Sequence, residues 1–507
     1  MLRRPVRGIP MQRIPPLAAL WLAATLASCG GGSHPTSGVS SDSSTPAPPH
    51  PPAPPPAPQP APAPSPAPAP SPAPAPSPAP APAPSVTDAA FPLHIAASKR
   101  YLADAAGTPF LMQGDSPWSL MVQLTREQVD QYLDDRRARG FNTLLTSLIE
   151  HYFAKSPPKN AYGDAPFLTP GDFSTPNERY FAHVDWVLQR AKAKGFLVLL
   201  VPAYLGYGGG NQGWYSEMLA NGPAKLREYG RYLGRRYSGY GNIVWTHGGD
   251  YNTPDRSIIN EIVAGIREFD STALHSAHCA PESAATVCAS GEPWLQVDNV
   301  YTYGSVRAAS LAEYNRTGTL PFFLLEGRYE NEGDGTEQRV RQQAYQALLS
   351  GAMGQMFGNN PIWHFDSPTG LYPVSMTWQQ ALGSRGAQSM THLRTLFAAH
   401  PWWTMEPDAA NTTLTSGLSS GNDLAVAARA ADRSFAIAYM PSVRTITVNL
   451  GQLAGPKVTA RWYDPANGTY VAVPGSPFLA SGSQSFRPAG NNASNFGDWA
   501  LVLESSQ

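Results

Sequence analysis

From residue 109 onward the chain alternates short continuous apolar runs with longer stretches in which apolar residues recur at helical spacing. Short apolar runs bounded by Gly, Pro or polar turns read as buried strands, and strands that alternate with amphipathic helices read as βα units around a parallel sheet. Eight such runs fall at 110–114, 141–147, 196–202, 242–246, 274–277, 297–301, 322–325 and 354–357. The intervening segments at 125–139, 177–194, 224–237 and 254–269 carry the helical pattern, and Gly140 and Gly195 stand where a helix end needs a left-handed residue before the next strand. The prediction is an α/β chain with a (β/α)8 TIM barrel. In the second segment's predecessor, 125–139, Asp130, Asp134 and Asp135 mixed with Arg136, Arg137 and Arg139 read as a solvated helix face. After residue 404 the pattern changes to brief alternating strands at 424–428, 434–439, 445–450, 458–463, 469–473 and 499–503, separated by Gly, Pro and Asn turns, which predicts a small all-β sandwich.

The first eighty-odd residues follow neither pattern. Arg3, Arg4, Arg7 and Arg13 precede an apolar stretch at 14–26 that is too short for a stable span and has the layout of an export signal. Leu26-Ala27-Ser28-Cys29 resembles a bacterial lipobox, so Cys29 is expected to carry lipid and to anchor the chain to the cell envelope without spanning the membrane. Gly30, rather than an acidic residue, follows the cysteine, which favours the outer membrane. Residues 30–45 are rich in Gly, Ser and Thr, and residues 46–84 are nearly all Pro and Ala. At roughly 3.1 Å per residue a polyproline stalk of this length would reach about 120 Å. The divisions are therefore a signal peptide at 1–28, a linker at 29–85, a catalytic-type barrel at 86–403 and a β-domain at 404–507.

Net charge is −1 with no basic block in the mature part, so neither nucleic acid nor an anionic surface is an expected partner, and the chain is read as a monomer. Cys279 and Cys288 are expected to form a disulfide in an exported compartment. His275 and His278 beside Cys279 make a zinc-like grouping, but two lone cysteines are a poor metal signature, and no metal or cofactor is expected.

A barrel of this kind carries its site at the C-terminal ends of its strands. Two carboxylates stand there, Asp250 after the fourth run and Glu326 after the seventh. A facing pair of carboxyl groups is what cleavage of a glycosidic bond requires, one to protonate the leaving oxygen and one to attack or to activate water. Around them the strand ends contribute Asp115, Trp118, His151, Tyr204, His247, Tyr303, Tyr329 and Trp363, the mixture of flat rings and polar groups that sugar clefts use, and these are the candidate substrate-binding residues. Plainer readings accompany several of them. Asp250 is also placed to cap the next helix, Asp115 to bond its own turn, His247 to sit satisfied in the core, and Trp118 and Trp363 to plug the barrel end. Glu330 is a second candidate for the attacking carboxylate.

The words Gly114-Asp115-Ser116-Pro117-Trp118, Trp245-Thr246-His247-Gly248-Gly249-Asp250 and Leu325-Glu326-Gly327-Arg328-Tyr329-Glu330 resemble those of the apiosidase-like glycoside hydrolases, family 140. Members often carry a small C-terminal β-domain with a collagen-binding label, and Ala460-Arg461-Trp462-Tyr463-Asp464-Pro465 followed by Gly468 resembles that module. The likeness spans roughly residues 90–505. It implies a retaining hydrolase acting on plant-type or other polysaccharide side chains, with Asp250 as acid/base and Glu326 as nucleophile, the positions after strands four and seven used by the wider clan. Two departures stand out. The clan usually presents Asn-Glu where this chain has Gly249-Asp250, and residues 146–152 are less typical of the family. The alternative is a non-catalytic surface lipoprotein that binds carbohydrate or collagen.

Overall fold

The eight apolar runs become eight parallel strands: β1 (Met112–Asp115), β2 (Thr143–Ser147), β3 (Leu197–Val201), β4 (Ile243–Gly248), β5 (Leu274–His278), β6 (Asp298–Tyr301), β7 (Phe322–Glu326) and β8 (Gly354–Phe357). The computed structural model describes residues 89–366 and 371–506; the signal segment, Cys29 and the linker lie outside the described residues. The strands are ordered β5-β4-β3-β2-β1-β8-β7-β6, each parallel to its neighbour. The ring closes between β5 and β6 without a regular ladder. There His275 O accepts from the Gln296 and Val297 N–H groups, and the Asn299 side chain donates to Ala277 O at 2.6 Å and Ser276 Oγ at 3.0 Å. A short strand, Ser283–Ala284, pairs antiparallel with the edge of β6 away from β7, and Cys279 and Cys288, on either side of it in sequence, are joined by a disulfide.

Among the described residues the longer helices that alternate with these strands are α1 (Arg126–Ala138), α2 (Glu178–Ala193), α3 (Tyr215–Tyr237, interrupted at Gly222), α4 (Ser257–Arg267), α5 (Val306–Tyr314), α6 (Glu337–Leu348) and α7 (Arg385–Ala398). Their starts follow local chemistry. Thr125 and Gln128 form a reciprocal capping box on α1, and Asn177 caps α2. Gly140 and Gly195 take φ of 82° and 77° at the helix exits, as their positions require. Among the described residues, no helix is long and apolar enough to cross a membrane.

One helix face departs from expectation. Arg136 is not solvated but fully buried, because it continues the spacing of Val129, Tyr132 and Leu133 on the inward stripe of α1. It donates from Nε to Asp115 Oδ2 at 2.5 Å, and the same oxygen accepts from the Tyr132 hydroxyl at 2.7 Å. Asp115, expected at the sugar, is instead a fully buried anchor that ties the end of β1 to α1.

After α7 the chain forms two antiparallel sheets. The larger has the order Met405–Pro407, Val426–Ala430, Phe435–Met440, Trp499–Ser506, Lys457–Tyr463, Tyr470–Ala472, and the smaller joins Leu414–Ser416, Ile446–Asn449 and Ser483–Phe486. Strand alternation then explains why the central strands are buried on both faces. Ala436, Ala438, Leu501 and Leu503 face the smaller sheet, while Phe435, Ile437, Tyr439 and Val502 join the core of the barrel. The β-domain is thus packed against the barrel through one face of its larger sheet.

Because removing one member of a buried ion pair strands the other, Asp115→Ala should cost about 3–5 kcal/mol of stability. Urea denaturation measures it; a loss below ~1 kcal/mol would show that Arg136 recruits its remaining partners, Asp135 and Leu382 O, in place of Asp115.

Candidate active site

Asp250 reaches the barrel mouth on a left-handed turn. Gly248, Gly249 and Asp250 have φ of 103°, 130° and 51° in succession. A Cβ at Gly248 would lie 2.5 Å from His278 O, and one at Gly249 would lie 2.2 Å from the Tyr204 ring. Glycine is required at both, and the turn carries Asp250 back over the end of β3. Its Oδ2 accepts from the Tyr204 hydroxyl at 2.6 Å. It does not cap α4, since Asp255 Oδ1 takes the Ser257 N–H there.

Glu326 depends on a register shift. Phe322 and Leu324 pack outward with Val306 and Ala347, whereas Phe323 and Leu325 point into the main core. Strict alternation would send Glu326 outward. The pairing of β7 with β6 slips between Leu324 and Glu326, and a bulge of this kind re-aims the side chain that follows it. Glu326 therefore faces the mouth, its Oε1 3.4 Å from the Tyr303 hydroxyl, which is itself 2.8 Å from the Tyr301 hydroxyl.

Between the two acids stands His278, the last residue of β5. It is fully buried, with Nε2 3.4 Å from Asp250 Oδ1 and 3.5 Å from Glu326 Oε2, and its ring stacks on Trp118 at a centroid distance of 5.3 Å. Burial alone would discharge the ring, but the two carboxylates outweigh it and raise His278 to about 9. Burial pushes Glu326 up; His278 opposes, the Asp250 charge adds, and the carboxyl stands at about 7. Burial would raise Asp250 as well, yet the His278 charge and the Tyr204 hydroxyl hold it below its ordinary range. Within the acid pair the surroundings therefore favour the proton on Glu326 and the negative charge on Asp250.

Asp250 and Glu326 lie on a cavity of about 490 Å³, with His278 buried behind them; its walls include Trp118, Glu150, Phe153, Tyr204, Tyr207, Gln212, Tyr303, Arg328, Tyr329, Glu332, Trp363 and Tyr372. Against this geometry, comparisons of the sequence and the fold agree. A family model described as "Apiosidase-like, catalytic domain" matches residues 96–404, more than half of the chain. The chain belongs to the apiosidase-like family. Residues 410–504 match the model "Putative collagen-binding domain of a collagenase". A solved structure titled as a glycoside hydrolase superposes with a TM-score of 0.72 at 22% identity, covering 82% of this chain and 99% of that one. A family 5 glycoside hydrolase from Bacteroides vulgatus ATCC 8482 gives 0.72 at 21% identity, covering 83% and 95%. No curated protein matches the chain. The barrel is a glycoside hydrolase-like catalytic domain.

Of the residues expected at the sugar, this apiosidase-like barrel places Trp118, Tyr204, Tyr303, Tyr329 and Trp363 on the cavity wall. Three lie elsewhere. Asp115 is spent on Arg136; His151 turns to Glu217 Oε1 at 3.0 Å and packs edge-on to Trp214. His247 is buried behind the mouth against His275, 2.9 Å between ring nitrogens, and burial holds both rings well below their usual range. Glu330 is no rival nucleophile: its carboxylate accepts from Gly386 N–H, Ser384 Oγ and Asn359 Nδ2 at the start of α7.

Sequence reasoning met His278 only as part of a zinc-like grouping with His275 and Cys279, and it passed over Glu332 and Tyr372. Only His278 left a signal, as the residue just past the fifth apolar run. Glu332, raised by burial, accepts from Trp363 Nε1 at 2.6 Å, and Glu150, also raised by burial, accepts three backbone N–H groups at 3.0 Å each. Asp250, His278 and Glu326 also offer one ligand atom apiece within 4.8 Å of one another, so a divalent cation is the competing occupant of this centre. A charged imidazole and a bound metal exclude each other there.

The sign of the pH dependence follows. Between pH 4.5 and about 7 the folded protein keeps a proton on Glu326 that the unfolded chain has lost, and between 6.5 and about 9 the same holds for His278. Both contributions fade as pH rises; the lowered Asp250 acts in the opposite sense, but only below 3.8. The stability of the native chain relative to a Glu326→Gln/His278→Gln variant should therefore decline from pH 4.5 to 9 in urea titrations. A flat or rising difference would show that the three groups do not share charge in this way.

Proposed function

We propose that this protein is a lipid-anchored, exported glycosidase that removes sugar side chains from a polysaccharide by double displacement. The observation that carries the reading is a pair of carboxylates with facing oxygens within 4.8 Å at the wall of an aromatic-lined cavity. Oxygens this close support the ~5–5.5 Å spacing of retaining enzymes over the ~6.5–9.5 Å of inverting ones. In the first step Glu326 attacks the anomeric carbon while Asp250 gives its proton to the departing oxygen. The glycosyl ester on Glu326 is then opened by water, whose proton returns to Asp250. Tyr204 and Tyr303 orient the two acids, and His278 carries the compensating charge. Apiose, the family's namesake sugar, is the first candidate at the reacting position, and family 140 is the matching class. Lipidation of Cys29, with the Pro/Ala stalk behind it, would hold the barrel some distance outside the outer membrane, where polysaccharide arrives.

A second reading exchanges the two acids. It is favoured by the opposite pulls on the two acids, which raise Glu326 and lower Asp250. The position of each acid on the barrel favours the first.

A panel of p-nitrophenyl furanosides and pyranosides, apiofuranoside among them, separates the readings, because this aglycone departs without a proton. On the substrate the native enzyme turns over, Asp250→Ala should lose at least ~100-fold in kcat and recover with azide, giving a glycosyl azide of the substrate's own anomeric configuration. Glu326→Ala should give the inverted azide. The opposite pairing of variant and product would assign the roles the other way, and full activity in either variant would remove the site. Turnover should also be unchanged after exhaustive chelation, since two-carboxylate chemistry needs no metal; activity restored only by a divalent ion would move the Asp250, His278 and Glu326 trio to the competing assignment.

A further inference from the structure

Helix α6 is polar in composition yet buried almost all round: ten of its twelve residues are buried, among them Arg341, Gln342, Gln343 and Gln346. A helix can bury such side chains only if each finds partners, so their partners show what the helix holds together. Gln338, Arg341, Gln342, Tyr345 and Gln346, at spacings of three and four, face the β-domain. Gln338 Nε2 donates to Pro441 O at 2.7 Å, Gln342 Nε2 to Asn422 O, and Gln346 Nε2 to Leu424 O at 3.3 Å. Arg341 forks onto both oxygens of Asp498 at 2.8 and 2.9 Å, wholly out of solvent, while Tyr345 stacks on Tyr439 at 4.5 Å.

Gln343 points the other way. Its Oε1 accepts the Arg328 N–H at 2.9 Å and its Nε2 donates to Arg328 O at 2.8 Å, so one side-chain amide pairs both backbone groups of the second residue after Glu326. Gly327 lies between, and a Cβ there would come within 2.7 Å of the same Oε1, which explains its glycine. The clamped Arg328 in turn lays its guanidinium 4.8 Å above the Tyr303 ring, whose hydroxyl approaches Glu326.

We infer that the β-domain braces the catalytic loop through α6, and that Gln343 is the positioning residue that transmits this support to Glu326 and Arg328. The inference rests on Glu326 as a reacting group. It makes the C-terminal module part of the active-site scaffold, in place of a detachable binding unit.

The test is a kinetic cycle on the full chain, with the p-nitrophenyl glycoside turned over by the native enzyme. Gln343→Leu, which leaves both Arg328 backbone groups unpaired, should lower kcat about 10- to 100-fold with KM altered less than about threefold. Gln343→Glu, which keeps the acceptor for the Arg328 N–H, should recover part of that loss. Asp498→Asn should lower kcat several-fold, and the double variant Gln343→Leu/Asp498→Asn should be no slower than Gln343→Leu alone, because both act through one support. Should Asp498→Asn fail to fold, Gln338→Ala takes its place in the cycle. An unchanged kcat in Gln343→Leu, an interface variant that loses thermal stability but keeps kcat, or effects that multiply in the double variant would each overturn the brace. Full activity in Glu326→Gln would instead remove the reading beneath it, and so the two failures are distinguishable.

Discussion

The structure turns on a conflict between burial and charge. Two carboxyl groups are held with oxygens within 4.8 Å at the wall of a cavity, and like charges so close repel strongly when water is excluded. A proton favoured on one acid and a cation nearby both relieve this repulsion. His278 supplies the cation, 3.4 and 3.5 Å from the two acids, and Trp118 stacked on its ring keeps it from turning to solvent. Three strands must then end at matched heights, which is what the parallel ring of β4, β5 and β7 provides. The seam between β5 and β6, closed by the Asn299 amide, lies directly beside this trio.

Much of the fold was readable because burial writes itself into runs of apolar residues: the eight runs found between 110 and 357 all became strands, within a few residues at their ends. The segments read as helical from 125 and 177 do begin there, because Thr125 and Asn177 cap α1 and α2. The candidate site was less so. Strand-end position identified Asp250, Glu326 and five of the rings on the cavity wall, but it says nothing of how a side chain turns once past the strand. His151 and His247 sit at strand ends and face away, each satisfied by a neighbour on another element. Arg136 and Asp115 show the same limit from the opposite side: a charged residue on a core stripe is betrayed only by its spacing, and its partner lies 21 residues away in sequence. Glu332 and Tyr372 come from loops that fold back over the mouth, a long-range event with no local signature.

The second domain was visible as a change of period, yet its relation to the barrel was not. Alternating apolar strands predict one buried face, and here the central strands of the larger sheet bury both. The reason lies in α6, whose glutamines and arginines would suit a solvated helix as well as a buried one. A polar sequence becomes an interior helix when a second domain offers carbonyls and a carboxylate at the right spacing. Pairing of that kind is directional, so it fixes rotation and height of the helix in a way that apolar packing alone does not.

The aspartate at position 250, where the wider clan tends to present glutamate, follows from the same backbone. The left-handed φ of 51° is tolerated by Asp far better than by longer or branched side chains, and the two glycines before it, at 103° and 130°, admit almost nothing else. On that turn a side chain shorter than glutamate by one methylene reaches both His278 and Tyr204. The Gly-Gly-Asp word is therefore one solution rather than three choices: the chain spends conformational freedom in its backbone to place a short acid at a fixed distance from a long one.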